Sequence, residues 1–187
     1  RVFYQHSDND YKYMNKVLTN ESFKDKREDA AYSQYAVMQE GYWKINPYAQ
    51  LTGIGWLQQG KRMLPQPLGI VGKTHEQQHE KNVRAYVGFD WTRGIHDLHI
   101  KGAWLYYRLD YDRWFDGGLF DSDGSINSSR SWQGVADYSI APLEELVINT
   151  TLTYTHDRIH ASSYIDVDST KYTDGDELPL LSKTGFN

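Results

Sequence analysis

The sequence predicts an all-β fold, an antiparallel up-and-down meander of about seven or eight strands, on three observations. Long stretches alternate polar and apolar residues with a period of two. Tight turns and long polar connections succeed one another along the chain. Hydrophobic residues make up 39% of the 187 residues while Tyr, Trp and Phe reach 14%, so the apolar content is weighted toward aromatics that suit strands and interfaces. Short turns at one end and long loops at the other describe part of a transmembrane outer-membrane β-barrel.

The first hairpin runs over residues 30–44, turns at 45–48 and returns over 49–58, with Ala49, Leu51, Gly53, Gly55 and Leu57 on one face. Residues 79–92 alternate most cleanly: Val83, Ala85, Val87, Phe89 and Trp91 point one way, Asn82, Arg84, Tyr86, Gly88 and Asp90 the other. After a turn at 93–97 the chain returns over 98–112, where Ala103, Leu105, Tyr107, Leu109 and Tyr111 share a face. A β-bulge at Gly102 would bring Leu98 and Ile100 onto that same face. The third hairpin takes 131–140, a turn at 141–144 and 145–157, with Leu146, Ile148, Leu152 and Tyr154 together, and residues 2–5 end a preceding strand. In this reading Val83, Val87, Phe89, Leu105, Leu109, Leu146 and Ile148 form one outward belt.

Loops of about twenty residues, at 7–29, 59–78, 113–130 and after 158, all fall at one end of the sheet. The strands run to roughly 10–15 residues, where soluble strands average about 5 or 6 and about 9 to 11 suffice to cross hydrocarbon. Trp43, Tyr48 and Trp91 sit beside the short turns, where an interfacial girdle belongs.

Composition removes other classes. A formal charge of −5 with scattered Lys and Arg offers no stripe for nucleic acid. No apolar run is long enough for a membrane-spanning helix, and the absence of Cys removes disulfides and thiolate metal sites. Neither end carries a leader or a stop signal, so residues 1–187 are expected to be a piece of a larger barrel.

Three motifs suggest chemistry. His75-Glu76-Gln77-Gln78-His79 spells HExxH, which on a helix sets two imidazoles one turn apart for zinc, with Glu76 as general base of a peptidase. The segment 73–81 has no apolar face to pack as a helix, and no Glu follows Glu80 until Glu144 to complete the ligand set. Residues 67–74 (PLGIVGKT) nearly spell a phosphate-binding loop, but Pro67 replaces the first Gly and no buried strand precedes it. Asp112, Asp116, Asp121 and Asp123 gather oxygen ligands that could hold Ca²⁺, although a terminal bidentate Glu is lacking. Sequons at Asn20, Asn127 and Asn149 carry no weight, the last lying inside a strand.

The passage 4–13 (YQHSDNDYKY), opening a long loop, and 56–69 (WLQQGKRMLPQPLG), with its Arg, Leu-Pro and Gly after a strand, together with the later strand-turn-strand units, resemble the barrel portion of TonB-dependent outer-membrane receptors. The likeness is to the cobalamin and iron-chelate type of Bacteroides-like, Gram-negative bacteria. Such receptors close about 22 strands around a plug; the plug and its energy-coupling box have no counterpart here. The resemblance implies energised uptake of a scarce, bulky solute, with no covalent chemistry and no required cofactor. Implied partners are membrane lipid, the small-molecule ligand (cobalamin or an iron chelate), the periplasmic TonB energy-coupling protein and a surface lipoprotein. Loop aromatics Tyr11, Tyr13, Phe23, Trp114, Phe115 and Phe120 are the expected ligand-stacking residues, with Ca²⁺ ordering the acidic loop. The competing class is a soluble β-sandwich or lipocalin-like binding module, in which the apolar faces converge in a core.

Overall fold

The computed structural model describes residues 1–9, 11–15, 23–26, 30–65, 74–115, 122–167, 170–172 and 181–186. Eleven strands follow in order: β1 (Val2–Ser7), β2 (Lys12–Asn15), β3 (Phe23–Lys26), β4 (Tyr32–Asn46), β5 (Ala49–Leu64), β6 (Thr74–Arg93), β7 (His96–Phe115), β8 (Ser122–Leu143), β9 (Leu146–Val167), β10 (Thr170–Tyr172) and β11 (Leu181–Phe186). The strands β1, β4, β5, β6, β7, β8 and β9 form one antiparallel meander in that order, with β10 and β11 both pairing β9. β2 and β3 pair only with each other. The sheet is open: residues 39–46 of β4 and 146–153 of β9 have no described strand beyond them.

Each short connection is a two-residue turn with its own local cause. Pro47 fixes φ at the first turn position, and the Tyr48 N–H donates to Asn46 Oδ1 at 2.8 Å, while the register slips by one residue at Ile45. Gly94 has φ +62°, the left-handed conformation that a type II′ hairpin demands at this place. The third turn, Glu144–Glu145, follows a slip between Ile140 and Leu143 that accommodates Pro142, which has no N–H for the ladder. Neighbouring turns are tied together: Thr92 N–H donates to the Tyr48 carbonyl and Ala141 N–H to the Ile95 carbonyl, each at 2.9 Å.

No bulge occurs at Gly102. The β6–β7 register runs unbroken from Thr74↔Phe115 to Arg93↔His96, through Val87↔Gly102. Leu98 and Ile100 therefore share a face with Gly102, Trp104 and Tyr106, whereas Leu105 and Leu109 lie on the other. Both faces of β7 carry apolar residues, so alternation within that strand alone could not tell them apart.

The register sorts the sheet into two unlike faces. One carries Trp43 from β4, Leu51 and Leu57 from β5, Val83, Val87, Phe89 and Trp91 from β6, Ile100 and Trp104 from β7, Trp132 and Ile140 from β8, and Ile148 and Leu152 from β9. The other, at the same level, carries Gln50 and Thr52, Arg84 and Asp90, Asp97 and Lys101, Gln133 and Asp137, and Thr151 and Thr153. Among the described residues only Ala36 and Ala49 are buried apolar side chains, and no strand packs across either face. Val87 is 54% exposed and Leu152 59%, so among the described residues these apolar side chains converge in no core.

The strands also reach far past the apolar stretch. β5 extends to Leu64, β6 begins at Thr74, β7 extends to Phe115 and β8 begins at Ser122, so the connections at this end shrink to 65–73 and 116–121. Much of what reads as loop in the sequence is strand. The reason is chemical: past Leu57, Val83 and Tyr106 both faces turn polar, and period-two alternation disappears although the backbone ladder continues.

Candidate functional site

The long-loop end of the polar face gathers the most interacting side chains. Arg113 on β7 faces Asp123 on β8 in direct register. Its Nε donates to Oδ1 at 2.9 Å and its Nη2 to Oδ2, a two-pronged ion pair that fits the planar geometry of both groups. The bonded carboxylate holds the Arg113 pKa above its ordinary value. Glu76 on β6 faces Arg113 from the other side. Tyr111, two residues back on the same face, has its hydroxyl pushed up to about 12, first by partial burial and then by a hydrogen bond with Glu76. Glu76, Tyr111, Arg113 and Asp123 thus form a continuous polar band across three strands. Nearer the short turns on this face, the guanidinium of Arg84 lies 6.0 Å from the Trp56 ring, and the buried Trp56 Nε1–H has no acceptor among the described residues.

On the opposite face Asp112 accepts a hydrogen bond from the Tyr164 hydroxyl of β9. Register explains how a tyrosine reaches past an intervening strand: Asp112 pairs with Gly124, and Gly124 with Tyr164. A Cβ at Gly124 would collide with the Tyr111 carbonyl oxygen and lie 2.7 Å from the Tyr164 ring, so only glycine leaves the phenol its path. Partial burial, and then the bond to Asp112, raise the Tyr164 pKa.

The residues expected to bind ligand are not brought together. Tyr11 and Tyr13 touch edge to face, with centroids 6.4 Å apart, Tyr13 lying within β2 of the separate β2–β3 pair. Trp114 stacks on His75 at 5.7 Å on the face opposite Tyr111 and Arg113. Phe23 opens β3 and Phe115 closes β7, and Phe120 lies outside the described residues. The acidic set is divided as well. Asp112 and Asp123 sit on opposite faces of the sheet, each with a partner of its own, while Asp116 and Asp121 lie outside the described residues. Among the described residues no three His, Asp or Glu side chains are grouped so that they could hold a metal ion.

Residues 75–79, expected mostly within the 59–78 loop, belong to β6. His75 and His79 point to one face and Glu76 to the other, and strand geometry separates the two imidazole-bearing Cα atoms by about 13 Å. This arrangement removes the helical zinc site. The phosphate-loop segment lies outside the described residues, save Thr74 at the start of β6.

Sequence reasoning missed Tyr111, Arg113, Glu76 and Tyr164 as members of clusters. Their signal was cross-strand: opposite charges and phenols meet only once the register of β6, β7, β8 and β9 is known.

No protein-family model matches the chain, and no curated protein matches it.

Proposed function

We propose that this chain is a lipid-facing wall of an outer-membrane β-barrel receptor, built for energised uptake of a scarce, bulky solute such as cobalamin or an iron chelate. One observation carries the reading: a one-sided, uncharged face continuous over β4–β9 and covered by nothing among the described residues. It runs Ala49 to Leu57, Trp91 to Val83, Leu98 to Tyr106 and Ile140 to Trp132, about nine residues each, which is the length that takes a strand through hydrocarbon.

Aromatics border this band at both ends. Trp91, His96 and Tyr138 stack beside the short turns, with Tyr138 Oη 2.7 Å from His96 Nδ1. Trp104, Tyr106 and Trp132 form the opposite border. Paired aromatic girdles around an apolar band are the interfacial anchors of barrel proteins. In this reading the polar face lines the lumen, the two-residue turns are periplasmic, and the strand extensions carry the Glu76–Tyr111–Arg113–Asp123 band into the extracellular vestibule. The open backbone edges at 39–46 and 146–153 require further strands, because unpaired peptide groups in hydrocarbon cost several kcal/mol each. The choice of receptor within barrels rests on the sequence resemblance.

Charge substitution tests the embedding. In the full-length protein folded into lipid vesicles, Val87→Arg, at the middle of the band, should destabilise by about 2–4 kcal/mol. Val135→Arg, at a comparable level on the polar face, should cost far less. Equal effects in chemical denaturation would remove the membrane reading. Saturable binding of radiolabelled cyanocobalamin or of an iron chelate to outer membranes carrying the protein tests the receptor reading; binding of neither would reduce it to a barrel of another kind.

A further inference from the structure

At the second aromatic border and over the two rows beyond it, the apolar face becomes charged. Lys61 on β5, Lys81 on β6, Arg108 on β7, Arg130 on β8 and Arg158 on β9 all point the same way as Val83 and Trp104. Arg108 is matched by Asp110, its Nε donating at 2.7 and 3.0 Å. The others differ. Arg130 and Arg158 face each other directly in the register, a like-charge pair that a sheet ordinarily avoids. Among the described residues neither these two nor Lys81 has a carboxylate partner; Arg130 lies over the Tyr106 ring at 5.6 Å. A single open groove of about 620 Å³ joins the two kinds of surface, lined by Val83, Trp104, Tyr106 and Trp132 with Lys81 and Arg130.

We infer that this groove and the Arg130–Arg158 pair bind the phosphate-bearing headgroup of a lipid in the leaflet on the long-loop side. The inference rests on the membrane reading above and adds a specific ligand to it. Charge and polarity match along one axis: an acyl chain lies on the Trp104 and Trp132 surface, and the phosphate sits between cations whose mutual repulsion it relieves. Two arginines presenting planar forks suit phosphate oxygens, and Lys81 adds a third cation from the neighbouring side. At a membrane surface each such cation contributes to anionic-lipid binding.

Brominated lipids test this directly, since Trp104 and Trp132 line the groove. The full-length protein is reconstituted in bilayers mixing phosphatidylcholine with phosphatidic acid, one or the other brominated, and tryptophan quenching is read as a relative binding constant. Wild type should favour phosphatidic acid by about tenfold. Arg130→Gln with Arg158→Gln should bring the ratio near one, Lys81→Gln should lower it, and the double Arg→Lys variant should retain most of it. A wild-type ratio near one, or a ratio unchanged in the Gln variant, overturns the inference while leaving the membrane reading intact. Loss of the preference on adding millimolar inorganic phosphate would make the site one for a free anion and overturn the lipid assignment. Absence of quenching even by brominated phosphatidylcholine would overturn the membrane reading, and this inference with it.

Discussion

Arg113 and Asp123 are the best-matched charged pair on the polar face, yet their side chains keep 39% and 24% of their exposure. Water and salt screen such a pair, so its geometry matters more than its Coulomb energy. A double-mutant cycle on Arg113→Gln and Asp123→Asn should return a coupling of about 0.5–1 kcal/mol at low salt, shrinking in molar salt. Tyr111 makes a separate prediction in alkali. Its folded-state pKa is raised, to about 12, against about 10 in an unfolded chain, so the folded state holds the proton that the unfolded state releases. The stability linked to this proton is fully present below pH 10 and lost as pH rises toward 12. Tyrosinate absorbance should show late-ionising phenols, and Tyr111→Phe should remove one of them. Tyr164, raised by the same two causes, should remain in the late group.

At the scale of the element, the hairpins are specified by different means, and Gly94 is the most sensitive point. Its φ of +62° strains any residue with a Cβ, so Gly94→Ala should destabilise by about 1 kcal/mol and Gly94→Asn by less, read from denaturation midpoints. The sequence made the turn-proximal halves of the strands legible because one face there is dry: the alternation of 83–91 places all its residues correctly. It left β7 ambiguous, since Leu105 and Leu109 on the polar face mimic the pattern of Ile100 and Trp104 on the other. It concealed the outer halves altogether. Glu76, Arg113, Asp123 and Ser125 offer no hydrophobic period, and their strand character comes from the ladder and from partners on other strands. The candidate site shared this fate: a list of loop aromatics was available from residue type, but that Trp114 meets His75 and Tyr111 meets Glu76 depends on register.

At the scale of the whole molecule, the described residues form a sheet with one apolar and one polar face and no second layer. Its apolar side chains need a surface to meet and its edges need strands. In the proposed reading a bilayer and a closed barrel supply both.

The pairing of Ala49 with Trp91, Trp91 with Leu98, Leu98 with Tyr138 and Tyr138 with Thr150 traces one hydrogen-bonded row across five strands. That row passes next to the first turn, three positions short of the second and about five or six short of the third. Each hairpin thus descends by about two residues, roughly 7–8 Å, for every two strands crossed, roughly 9.6 Å. If the three tips lie level at the periplasmic interface, the strands must lean from the barrel axis by about 35–40°, inside the range closed barrels adopt. Polarised infrared dichroism of the amide band in oriented bilayers should find that lean; strands upright to within about 15° would show that the staggered tips do not share a plane.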